Sequence, residues 1–117
     1  MPVLEGLLMG KAEREKGKRG EREIARLLKD MGFDVHRSQQ YCGNTGDAAD
    51  VVGIDGYHLE VKRREKTEIH AWIKQAEAEC GENVPIVLHR RNGEPWYATI
   101  PAIDLFQLII AVKDGER

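Results

Sequence analysis

Near the middle of the chain lies a hairpin signature that leaves few folds open: ADVVGI (49–54), an Asp55-Gly56 turn, then YHLEVKR (57–63). Two short β-rich runs separated by Asp-Gly give the strongest short-range signal for paired antiparallel strands. Side chains alternate along the second run, so Tyr57, Leu59 and Val61 share one side of the sheet while His58, Glu60 and Lys62 share the other. A chain of 117 residues has little interior to spare. Ionisable groups on a sheet face that must be covered therefore call for solvent, a partner or a function.

The remaining elements follow from periodicity and punctuation. Residues 1–16 read as an N-terminal basic arm, and 17–117 as a single domain. Apolar residues at 24, 27, 28 and 31 predict a helix over 17–31, stopped by Gly32, followed by a short strand at 33–37 and a polar loop at 38–48. Ile69, Trp72, Ile73, Ala76 and Cys80 fall on one stripe of a helix over 67–80. Strands at 84–90 and 94–100 form a second hairpin about Arg91-Asn92-Gly93, and a terminal helix runs from Pro101 to Gly115. This order of helix, three strands, helix, two strands, helix suggests an α/β fold, a mixed five-stranded sheet flanked by helices.

Composition excludes several classes. With 41% hydrophobic and 32% charged residues the chain is too apolar for disorder, and no apolar run approaches the roughly 20 residues that span a bilayer. The N-terminus lacks a secretory pattern, so a cytoplasmic location, host cytoplasm if the source is viral, is expected. Cys42 and Cys80 lack the spacing of a zinc site or a disulfide framework. The net charge of −2 gives no global attraction to nucleic acid, but charge is uneven. Eight basic residues lie between Gly10 and Lys29 against four acidic ones, and Lys62-Arg63-Arg64 with Lys66 form a second cluster.

A lone Glu-x-Lys on a strand is usually just a solvated face. The hairpin changes this, because Asp50 opens the adjoining strand and pairing brings its carboxylate toward Glu60. Converging carboxylates repel unless a cation lies between them, and Mg²⁺ prefers such hard oxygen ligands. A metal-held water activated beside Lys62 is a competent nucleophile for a phosphodiester. Glu21 lies on the flank of the stripe formed by Ile24, Leu28 and Met31 and so faces the protein body, and Gly17 and Gly20 leave room for a sheet or a phosphate nearby.

Gly20-Glu21-Arg22-Glu23 on the first helix, Gly46-Asp47-Ala48-Ala49-Asp50-Val51-Val52 entering a strand, and Leu59-Glu60-Val61-Lys62 on the next together resemble the PD-(D/E)XK nuclease superfamily. Within it the chain looks most like the archaeal-type Holliday junction resolvases and their phage relatives, over roughly residues 16–90. The resemblance implies a restriction-endonuclease-like fold in which Glu21, Asp50, Glu60 and the Val61 carbonyl surround one or two Mg²⁺ ions, with Mn²⁺ able to substitute, and Lys62 assists the attacking water. Asp47 competes for the aspartate role, but Asp50 directly abuts the apolar strand. Arg37, Ser38 and the loop to Thr45 match a DNA-contacting segment, and Gln75 falls near the site or in solvent. The loop before Asp50 departs from the serine and glycine run of many archaeal members.

These readings set the functional expectations. The first is an endodeoxyribonuclease of the crossover-junction type, acting on branched DNA as a homodimer, with no membrane and no small-molecule substrate. DNA phosphates are expected at Lys16, Lys18, Arg19, Arg22, Arg37, Ser38, Arg63, Arg64 and Gln75. Leu105, Phe106, Leu108, Ile109, Ile110 and Val112 spread around the terminal helix, either as a dimer surface or as monomer core. The alternatives are a flap- or single-strand-directed endonuclease of the same superfamily and a DNA-binding module without catalysis.

Overall fold

The computed structural model describes residues 2–38 and 49–116, with side chains from residue 10 onward. Asp47, Cys42, Thr45 and most of the polar loop lie outside the described residues. In chain order the elements are α1 (Pro2–Asp30), β1 (His36–Arg37), β2 (Val51–Val52), β3 (Tyr57–Arg63), α2 (Ile69–Glu79), β4 (Val84–Arg90), β5 (Tyr97–Thr99) and α3 (Ala102–Gly115). One five-stranded sheet in the order β1-β2-β3-β4-β5 has β3 and β4 parallel, joined through α2, and every other neighbour antiparallel. The expected mixed sheet with helices against it is the observed architecture. Its strands β1, β2 and β5 are shorter than the runs read from sequence.

The first helix begins at Pro2, ahead of the expected start at Gly17, and passes through Gly10, Gly17 and Gly20 without a break. Each glycine costs a helix about 1 kcal/mol relative to alanine, and the surrounding Leu, Glu, Lys and Arg are strong enough helix formers to absorb that. Gly32, at φ +102, supplies the expected stop, with the Phe33 N–H returning to the Leu28 carbonyl at 2.9 Å. Gly20 admits close packing of α1 on the sheet: a Cβ there would lie 3.0 Å from Arg63 Cβ and 3.4 Å from Val61 Cγ1.

The sheet buries both faces. Toward α1, Ile24, Ala25, Val35, Val51, Leu59 and Val61 form one apolar cluster; toward α2, Trp72, Ala76 and Val87 form another. Since β3 is central, His58 and Glu60 are as buried as Leu59 and Val61. The polar side of β3 is thus an interior surface rather than a solvated one.

The first hairpin is not a regular ladder. The Tyr57 N–H donates to the Ile54 carbonyl at 3.2 Å, closing a turn centred on Asp55 and Gly56, the latter at φ +86. Continued regularly, that closure would set Val51 opposite Glu60, yet Val51 pairs with Leu59. The β2 side therefore carries one extra residue, a β-bulge. Gly53 lies in it at φ +126, where any Cβ would collide with the Asp34 carbonyl oxygen. A one-residue shift exchanges the faces of everything beyond it. Here it sends Val51 into the α1-side core and turns Asp50 toward Glu60.

The last helix makes no comparable contact. None of the side chains of α3 is buried, and Ile103, Leu105, Phe106, Ile109, Ile110 and Val112 are all exposed. Of the two readings of this apolar helix, burial within the monomer is the one that fails.

Candidate active site

Glu21, Asp50, Glu60 and Lys62 arrive from three elements at one cleft of about 480 Å³ between α1, the end of β2, β3 and α2. Ser38, Val61, Arg64 and Gln75 line it too. The ladder between β2 and β3 is so short that the Val61 N–H has no backbone partner on β2, and Asp50 Oδ2 accepts it at 2.8 Å. This bond fixes the Asp50 carboxylate near Glu60, close enough for the two charges to oppose each other. Burial, reinforced by the Glu60 charge, raises the Asp50 carboxyl from its ordinary 3.8 to about 7, against the opposing pull of the Val61 N–H and Lys62.

Glu60 is held from its other side by His58, whose Nε2 lies 2.8 Å from Glu60 Oε1, both residues being almost wholly buried. That hydrogen bond raises the imidazole above its ordinary value in spite of burial. Ligand atoms of His58, Glu60 and Glu79 lie within 4.8 Å of one another, near enough to share a cation. Neither His58 nor Glu79 was anticipated as part of the site. His58 was legible, being two residues from Glu60 on the same strand face; Glu79 depended on how α2 lies over the sheet.

Glu21 is buried on α1 as its position on the helical flank implied, and Arg37 clamps its Oε1 through Nε and Nη2, both at 3.1 Å. Arg37 thereby holds Glu21 against the sheet. Lys62 Nζ donates to Gln75 Oε1 at 3.2 Å, so Gln75 belongs beside the site and is also exposed. The other basic residues divide. Lys18, Arg63 and Arg64 line the cleft; Lys16 pairs with Glu65 in a neighbouring groove; Arg22 lies with Arg26, Lys29 and Arg37 along another groove; Arg19 lines neither the cleft nor these grooves.

The donor set suits a divalent cation on chemical grounds. Two neighbouring carboxyls, one of which resists ionisation until about pH 7, are the arrangement a cation relieves. Carboxylate oxygens fit Mg²⁺, and the adjoining imidazole also admits Mn²⁺.

This fold, with an acidic pair and a lysine on adjoining strands and a buried glutamate from the first helix, defines a member of the PD-(D/E)XK nuclease superfamily. The chain matches the family described as "Phage putative PDDEXK endonuclease" over residues 12–115 and belongs to it. No curated protein and no solved structure matches the chain significantly. Among the described residues no helix is long and apolar enough to cross a membrane.

Proposed function

We propose that the protein is a Mg²⁺-dependent, structure-selective endonuclease that resolves four-way DNA junctions by paired nicks. The observation that carries the hydrolytic part is the meeting of Glu21, Asp50, Glu60 and Lys62 on one cleft, with the Asp50 carboxyl driven up to about 7. Glu21, Asp50 and Glu60 would hold the ion, with the Val61 carbonyl as a further ligand. Bound there, Mg²⁺, or Mn²⁺ in its place, supplies Lewis acidity at the phosphate and a more acidic water. Lys62, oriented by Gln75, sits where an ammonium orients the attacking water and offsets charge that builds on the phosphate oxygens. Water oxygen bonds to phosphorus, the bond from phosphorus to O3′ breaks, and O3′ leaves with a proton, giving 5′-phosphate and 3′-hydroxyl ends.

Two features support paired action on branched DNA. The exposed apolar surface of α3 is larger than one core-facing stripe, and a second copy packing there would form a homodimer presenting two clefts. Lys18 and Arg64, each about 43–44% exposed on the cleft, offer cations to phosphates.

The test is cleavage of a labelled immobile four-way junction in Mg²⁺, beside duplex, flap and single-stranded controls of matched sequence. Symmetrical nicks confined to the junction support the proposal. Flap-directed or broad cutting replaces junction resolution with another substrate, and no cutting of any DNA overturns the enzymatic reading.

A further inference from the structure

The row of side chains containing Lys62 continues across the sheet. Lys62 is the register partner of His89 on β4, and His89 that of Tyr97 on β5. Register partners share a face, so all three point to the α2 side. There Trp72, His89 and Tyr97 make an aromatic wall: the Trp72 and His89 rings lie 5.9 Å apart, and the His89 and Tyr97 rings 6.3 Å apart at an interplanar angle of 30°. Tyr97 is 60% exposed although it is a large aromatic. The wall borders a cavity of about 300 Å³, and Arg64 lines both that cavity and the acidic cleft, so the two are neighbours on either side of this side chain.

We propose that this pocket receives an unpaired nucleobase of the bound strand, stacked on Tyr97 and His89 with its adjoining phosphate on Arg64. The proposal rests on the DNA-cleaving reading of the acidic cleft and adds a substrate feature to it. Three observations favour a base over another ligand. Burial holds His89 below its ordinary value, and its Nε2 is engaged with Thr99 Oγ1 at 2.9 Å, so it presents a neutral ring face rather than a cation. Arg91 is forked onto Glu94 at 2.6 and 3.1 Å, and Arg90, which also lines the cavity, pairs with Glu23 and lies over the Trp96 ring, so both guanidinium groups are already partnered and leave the aromatic faces to the uncharged part of a nucleotide. Arg64 stands at the cleft side, where the phosphate would lie. Strands are spaced about 4.8 Å apart, so Tyr97 stands roughly 10 Å from Lys62. At about 3.4 Å per stacked nucleotide that distance is at most about three nucleotides from the phosphate at Lys62. A paired base has both faces covered and cannot stack on protein without leaving its helix. The pocket therefore selects DNA with opened bases near the cut, as at a branch point.

The test uses 2-aminopurine placed singly, one to three nucleotides from the branch of a DNA carrying unpaired bases, with Ca²⁺ to allow binding without cutting. Wild type is expected to quench the fluorophore at one of these positions. Tyr97→Ala is expected to abolish the quenching and weaken binding of this DNA by about five- to a hundredfold, with unchanged affinity for matched duplex, while Tyr97→Phe retains both. A Tyr97→Ala protein of wild-type melting temperature that quenches and binds normally, or that loses duplex binding equally, overturns the pocket assignment alone. Wild type that binds no branched DNA overturns the DNA-cleaving reading together with it.

Discussion

Replacing Asp50 by asparagine should make the metal-free protein more stable while abolishing cleavage. The folded Asp50 carboxyl holds its proton up to about pH 7, whereas an unfolded one loses it near 3.8. Folding therefore takes up a proton between those values, and the stability present below pH 3.8 is lost as pH rises through about 7. The interval corresponds to about 4 kcal/mol at roughly 1.4 kcal/mol per pH unit. An asparagine Oδ1 still accepts the Val61 N–H, but the buried amide forgoes about 1 kcal/mol of hydration, leaving a gain of about 3 kcal/mol. For a domain of this size that is on the order of 10 °C in Tm. Thermal unfolding in EDTA at about pH 8.5, above the folded value, should show the increase, and at about pH 4, near the unfolded one, the two proteins should melt together. Mg²⁺ should restore stability to wild type alone, with an affinity that falls about tenfold per pH unit below about 7 as Asp50 protonates. An Asp50→Asn protein no more stable than wild type in the alkaline melt, or equally shifted in both melts, would show that Asp50 titrates as an ordinary carboxyl.

Three further outcomes follow from the packing. Gly53→Ala places a Cβ against the Asp34 carbonyl at φ +126; denaturant unfolding should show a loss of about 3 kcal/mol or more, and Asp50 should lose its place beside Glu60. His58→Ala removes the buried partner of Glu60 and should cost about 3 kcal/mol, with Mn²⁺ affinity measured by calorimetry falling about tenfold or more. Phe106→Glu on the exposed face of α3 should convert a dimer to a monomer by light scattering while leaving the melting temperature of the subunit nearly unchanged. A Phe106→Glu protein that stays dimeric places the dimer surface elsewhere.

The architecture was legible because its signals are local. The Asp-Gly turn, the alternation through Tyr57–Arg63 and the stripe from Ile69 to Cys80 each report on a few neighbouring residues, and together they imply a parallel β3–β4 pair. The proximity of Asp50 to Glu60 was legible only in outline. It depends on the extra residue at Gly53, and a regular hairpin would have sent Asp50 to the other face. The pairing of Arg37 with Glu21 was not legible, because it is set by how α1 crosses β1. The row from Lys62 through His89 to Tyr97 needs the registers of three strands, which no local pattern carries. In α3 the reverse holds: an apolar sequence left two readings, and the exposure of its side chains in the fold removed burial within the monomer.

If Lys62 and the three carboxylates act as one hydrolytic centre, removing the ammonium should slow chemistry and spare binding. Wild type and Lys62→Ala are compared on labelled branched DNA, with binding measured in Ca²⁺ and single-turnover cutting in Mg²⁺. Lys62→Ala is expected to bind DNA within a few-fold of wild type and to cut it about 10²- to 10⁴-fold more slowly. Cutting by Lys62→Ala at the wild-type rate would contradict a hydrolytic role for this lysine and for the centre built around it.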